Sequence, residues 1–220
     1  MTSLSFAIMA HQSRLGRAVE LVTRLPAALT TTLHLADAAS RDVWGTAQRA
    51  WEAAPACDWH IVVQDDAVLA DDFVEAARAA LTARGDENCV VSFFSFAKST
   101  VHPPGTWLEL TGNTLYAVAL AIPTRLVSSM LLWTEMNEKR GEATLGWGTS
   151  PKTRHDDKRI LDWCKASKIP AYVTCPNIVD HDPGPSIANP GSRPRVSANF
   201  MRNGAAQLDW TNLKAIKVSK

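Results

Sequence analysis

The order of apolar runs along this chain leaves little choice of architecture. Strand-like runs at residues 5–10, 31–36, 59–64, 88–96, 114–122 and 171–175 are mostly separated by segments with helical spacing. Residues 17–25 put Val19, Leu21, Val22 and Leu25 on one side, and Pro26 ends the helix. Residues 41–54 carry Val43, Ala47, Ala50 and Trp51 in the same way. Asp71 or Asp72 caps a helix running to residue 83, with Phe73, Ala76, Ala77, Ala80 and Leu81 inward. Further helices are expected at 124–136 and at 156–167, the latter with Ile160, Leu161, Trp163 and Cys164 inward. Strand followed by helix implies parallel βαβ units, and right-handed crossovers then put helices on both faces. The expected fold class is α/β: a central, mostly parallel sheet with the early strands at its centre. Glycine and proline gather at 102–112 and 183–194, which are read as loops.

Bulk properties narrow the function classes. The chain has 220 residues, 46% of them hydrophobic, enough for one domain with a sizeable core. Residues 1–190 form the expected catalytic domain, and 191–220 a basic tail that packs on it or extends it. A net charge of +1 gives no global pull toward nucleic acid or a membrane. The four cysteines contain no C-x-x-C pair, which argues against a zinc knuckle and for reduced, mostly buried thiols in a cytoplasmic protein. No run of about 18 apolar residues occurs, so no transmembrane helix is expected. Residues 1–10 lack a basic leader and read as a first strand. Neither G-x-G-x-x-G after the first strand nor G-x-x-x-x-G-K-[ST] is present, so dinucleotide-binding and P-loop enzymes are poor readings.

Chemistry concentrates at strand ends. Ile61-Val62-Val63-Gln64-Asp65-Asp66 is an apolar strand running into two carboxylates. Ligands of open α/β sheets bind at the carboxyl ends of the strands, and paired hard oxygens suit a divalent cation and, through it, a diphosphate. The plain alternative is that both acids cap the following turn. His181 lies in Asp180-His181-Asp182-Pro183-Gly184-Pro185-Ser186, where a neutral imidazole is an acceptable cation ligand and Gly184 and Ser186 offer donors to phosphate. A loop histidine with flanking acids is the rival. Asp156-Asp157 opens a helix soon after Trp147-Gly148; acids there are favoured by the helix dipole in any case.

These segments resemble the GT-A-type nucleotide-sugar glycosyltransferases, in particular the lipopolysaccharide- and collagen-modifying galactosyltransferases and small phage enzymes. The likeness covers residues 4–187. It implies a Rossmann-like GT-A fold and a sugar moved from a nucleotide-sugar, UDP-linked by preference, to a hydroxyl acceptor. By resemblance Asp66 and His181 hold Mn²⁺ or Mg²⁺. Asp65, His11, Arg14, Asp37 and Ser186 contact the nucleotide. Asp157 is the base of an inverting displacement, with Asp156 capping its helix. Trp147, Gly148 and Trp107 lie on the acceptor side. Gln64 departs from the acidic first position of the family's metal motif. The acceptor is a hydroxymethylated pyrimidine in phage DNA or a surface glycan; Arg193, Arg195 and the lysine tail fit DNA. A nucleotidyltransferase, or a non-catalytic nucleotide- or glycan-binding module, stays open as an alternative.

Overall fold

The computed structural model describes residues 1–26, 29–36, 43–112, 114–139, 155–184 and 195–219. An eight-stranded sheet runs through it in the order β10-β6-β8-β5-β7-β3-β1-β2. The strands are β1 (Leu4–His11), β2 (Thr30–Ala36), β3 (Trp59–Gln64), β5 (Val90–Ser92), β6 (Thr106–Leu110), β7 (Ala119–Pro123), β8 (Ala171–Cys175) and β10 (Ala215–Val218). A separate ribbon pairs β4 (Ala67–Leu69) antiparallel with β9 (Val179–His181). In the main sheet β1, β2, β3, β5 and β8 run one way, and β6, β7 and β10 the other. The sheet is therefore mixed but mostly parallel, as a Rossmann-like α/β chain requires.

Helices cover both faces. Alternate residues of β1 divide the core: Phe6 and Ile8 face α1 (Leu15–Thr23) and α3 (Phe73–Arg84), whereas Ala7 and Met9 face the opposite side. There α2 (Val43–Glu52), α4 (Thr124–Lys139) and α5 (Asp156–Ser167) pack through Trp44, Trp51, Val127, Met130, Ile160 and Trp163. Strands buried on both faces read as continuous apolar runs, which is why β1 and β3 stood out in the sequence. Among the described residues no helix is long and apolar enough to cross a membrane.

Several sequence expectations need correction. The early strands do not all lie at the centre: β2 is an edge strand, and β7 and β5 occupy the middle. The half-polar run Thr30–Ala36, with Leu33 and Leu35 exposed, is the composition of a strand with one free side. Residues 102–112 are not all loop, because β6 lies within them and buries Trp107 and Leu108 completely. The strand expected at 88–96 stops at Ser92, where Phe93 and Phe94 turn into the core. The strand expected at 114–122 begins only at Ala119. Asp72 is the residue before α3, yet its carboxylate accepts from Ala206 N–H at 2.9 Å and makes no cap to its own helix. The C-terminal segment ends in β10, hydrogen-bonded beside β6 in the main sheet.

Candidate functional site

The sheet delivers four segments to one place. β1 and β3 are parallel neighbours with Met9 opposite Gln64, so the residues that follow each strand emerge side by side. Beyond β1 the chain makes a single turn of 3-10 helix, Gln12–Arg14, before entering α1. Beyond β3 it passes through Asp65 and Asp66 into β4. The ribbon register sets His181 opposite Ala67, and Asp182 N–H donates to Asp66 C=O at 2.8 Å. A histidine from the far end of the chain is thereby brought next to the carboxylate pair. The fourth segment is the start of α5, where Gln64 Nε2 lies 3.4 Å from Asp156 Oδ2.

Arg14, Arg17 and His181 each meet a carboxylate here. Asp65 accepts His11 N–H at 2.7 Å on Oδ2 and Arg14 Nη1 at 3.1 Å on Oδ1. Asp66 Oδ2 is shared by Arg14 Nη1 at 2.8 Å and His181 Nε2 at 3.3 Å. Its other oxygen, Oδ1, is buried and has no hydrogen-bond partner among the described residues. A buried carboxylate oxygen without a hydrogen-bond donor is costly. His181 Nδ1 lies 2.6 Å from the Asp182 carbonyl and donates to it, which turns Nε2 toward Asp66. Asp180 Oδ1 accepts from His181 N–H at 2.8 Å and from Ser197 N–H at 2.6 Å, and so fixes the ribbon end. Asp182 pairs with Arg17 and accepts Gly184 N–H at 2.6 Å. A side chain at Gly184 would meet that carboxylate 2.7 Å away, so the Asp182 side chain would have to move to admit one.

The pairings perturb the titrations. Burial raises Asp66, but the His181 hydrogen bond and charge outweigh it, with Arg14 helping, and the carboxyl lies below its ordinary value. For His181 burial works downward, and the Asp66 contact reverses it, so the imidazole is raised. Asp65 is raised because burial exceeds what His11 N–H and Arg14 return. Asp156 is pushed up to about 7, first by burial and then by the neighbouring Asp157 charge. Asp157 is also raised by burial, against the opposing pull of His155, the Lys158 amide, Arg195 and Lys158.

The residues fit a divalent cation in part. Asp66 Oδ1 and His181 Nε2 are one hard oxygen and one imidazole nitrogen at adjacent positions, a donor set that Mn²⁺ accepts. Among the described residues no group of three or more His, Cys, Asp or Glu converges. Both oxygens of Asp65 are engaged, Oδ2 by His11 N–H and Oδ1 by Arg14.

Of the other expected site residues, His11 presents its backbone N–H to Asp65, while its ring closes the 3-10 turn on Ser13 Oγ at 2.8 Å. The Gly184 N–H expected to face phosphate is spent on Asp182. Asp37, Trp147, Gly148 and Ser186 lie outside the described residues. Trp107 does not line an acceptor loop. It is a fully buried residue of β6 whose indole stacks under Arg84, with the guanidinium carbon 4.1 Å from the ring, and donates to Trp210 C=O at 3.0 Å. Its apolar bulk supports the core, and no face is left for a sugar. Sequence reasoning missed that Arg14 bridges both acids, that Gln64 reaches Asp156, and that Arg195 lies within electrostatic reach of Asp157 and His181. The one available signal was Gln64 itself, a polar residue ending an otherwise apolar strand.

No protein-family model and no curated protein matches this sequence. Among solved structures the chain is similar to a glycosyltransferase involved in the glycosylation of the major capsid of PBCV-1, with a TM-score of 0.40 and 11% identity, covering 84% of this chain and 85% of that one. It is also similar to the inositol-1-phosphate CTP transferase from T. maritima, with a TM-score of 0.38 and 7% identity, covering 77% of this chain and 65% of that one.

Proposed function

We propose that this chain is a metal-dependent glycosyltransferase that moves a sugar from a nucleotide-sugar, UDP-linked by preference, to a hydroxyl acceptor. The observation that carries the reading is the meeting of Asp66 and His181 at the end of β3, with Asp66 Oδ1 buried and unpartnered. Asp66 and His181 would hold Mn²⁺ or Mg²⁺, and the cation supplies charge stabilisation to a departing diphosphate. Asp65 and the turn through His11 and Arg14 form the nucleotide side.

The start of α5 forms the acceptor side. A base must reach the acceptor hydroxyl, and Asp157 is half-buried whereas Asp156 is only 5% exposed. Asp157 therefore takes the proton as the hydroxyl oxygen attacks the anomeric carbon and the bond to the diphosphate breaks with inversion. Asp156, against Gln64, anchors α5 to the end of β3. Arg195 is exposed and places positive charge near both Asp157 and His181. That charge favours an anionic acceptor, such as DNA carrying a hydroxymethylated pyrimidine in a phage-infected cytoplasm, over a neutral surface glycan.

Turnover of a UDP-sugar panel with Mn²⁺ tests the reading, scored first as slow hydrolysis and then as transfer to hydroxymethylated DNA. Absence of any turnover together with absence of any metal-dependent thermal shift refutes it, since a bound ligand must raise the apparent stability. Transfer to DNA that does not weaken steeply with salt refutes the anionic acceptor.

A further inference from the structure

We propose that this site takes its divalent cation only together with a diphosphate, because Arg14 already neutralises the two carboxylates and leaves a free cation only Asp66 Oδ1 and the imidazole. The inference rests on the transfer reading above and concerns the form in which the ligand arrives. Arg14 Nη1 lies 2.8 Å from Asp66 Oδ2 and 3.1 Å from Asp65 Oδ1, and its side chain is only 14% exposed. The guanidinium is thus a fixed positive charge set between the two carboxylates. His181 Nε2 approaches the same Asp66 oxygen from the ribbon at 3.3 Å. What remains for a cation is the bare, buried Asp66 Oδ1 beside the imidazole.

A free divalent cation entering there meets one open carboxylate oxygen and a guanidinium close by. Like charges at such separations in a partly buried site repel strongly, and the protein supplies too few donors to replace the ion's water. A cation that arrives on a diphosphate brings its own oxygens and enough negative charge to reverse that repulsion. The diphosphate also gives Arg14 a new partner, because a guanidinium fork matches two phosphate oxygens. Arg14 would then exchange Asp66 for the phosphate, which leaves the whole Asp66 carboxylate, with His181, to hold the cation. Asp65 stays in place through His11 N–H, at 2.7 Å. No bond is made or broken in this exchange; one counter-ion replaces another.

Such an exchange makes cation and diphosphate binding cooperative, and the coupling is reciprocal. Titration calorimetry on the full chain measures it, with Mn²⁺, pyrophosphate and UDP each added alone and in the presence of the other component. In the wild type, pyrophosphate or UDP is expected to tighten Mn²⁺ by about tenfold or more, and Mn²⁺ to tighten the diphosphate by the same factor. In Arg14→Gln, Mn²⁺ alone is expected to bind about tenfold more tightly than in the wild type, the diphosphate more weakly, and the coupling to collapse toward one. Arg14→Lys keeps the charge without the fork. It is expected to retain weak binding of free Mn²⁺ but to lose diphosphate affinity. Equal Mn²⁺ affinity with and without diphosphate in the wild type overturns the proposal, and so does an Arg14→Gln protein with unchanged Mn²⁺ affinity. Should Arg14→Gln not fold, the wild-type coupling and Arg14→Lys decide. A wild-type protein that binds neither pyrophosphate nor UDP under any condition removes the transfer reading itself, and this inference falls with it.

Discussion

Replacing Asp156 by asparagine isolates the electrostatic cost of burying a carboxylate at the start of α5. Asp156 is 5% exposed and shares the start of α5 with the Asp157 carboxylate. Its carboxyl titrates near 7 in the folded chain, against 3.8 ordinarily. A raised carboxyl favours folding at low pH, and that contribution is lost as pH climbs from about 4 to about 7. The difference corresponds to about 4 kcal/mol once both states are ionised. At pH 5 the unfolded carboxyl is already ionised while the folded one still holds its proton, so roughly 2 kcal/mol has been lost. The rest disappears by pH 8. Asparagine has no proton to give up, so the stability of Asp156→Asn relative to wild type should rise by about 2 kcal/mol between pH 5 and pH 8. Removing the charge also relieves Asp157, which acts in the same direction. Urea unfolding of both proteins at pH 5, 6, 7 and 8 reads the effect as a widening gap between midpoints. Parallel stability curves, or an asparagine variant that falls further behind at pH 8, would refute the burial-and-repulsion account of this helix start.

Three other outcomes follow from named contacts. Asp66→Asn should lower Mn²⁺-dependent turnover about 100-fold or more and abolish the metal-dependent thermal shift, because the open oxygen belongs to this carboxylate. Asp157→Asn should cost about 10²- to 10⁴-fold in kcat with donor affinity unchanged in an inverting reaction; a rate left largely intact would point to retention instead. His60 is fully buried, donating through Nε2 to Ala50 C=O and accepting from Ser5 Oγ, and burial holds it down to about 4. Stability it contributes above its unfolded value of 6.5 is lost as pH falls toward 4, about 3 kcal/mol in all, and His60→Gln should flatten that acid limb in urea titrations.

The parts of the fold that were legible share a physical reason. β3, β8 and α5 begin and end where the sequence puts them, since each is a strong apolar pattern with a sharp boundary: Pro170 and Pro176 flank β8, and the acid pair opens α5. Trp107 was misplaced because Pro103, Pro104 and Gly105 beside it look like loop, and only the pairing of β6 with β8 and β10 makes a strand of it. The three-residue ribbon β4–β9 was invisible for the same reason, as its partners lie more than a hundred residues apart. At the site, the residue types of Asp65, Asp66, His181 and Arg14 could be read, but their mutual pairing could not. Nothing local says that Arg14 answers both acids; the parallel register of β1 and β3 brings them together.

The most direct test of the central claim is to see the ion. A crystal of the chain grown with Mn²⁺ and UDP, measured for anomalous scattering at the manganese edge, should show one peak within coordination distance of both Asp66 Oδ1 and His181 Nε2, with the diphosphate on its open side. A fully occupied UDP site with no anomalous peak between those two residues, or with the peak elsewhere on the chain, would contradict it.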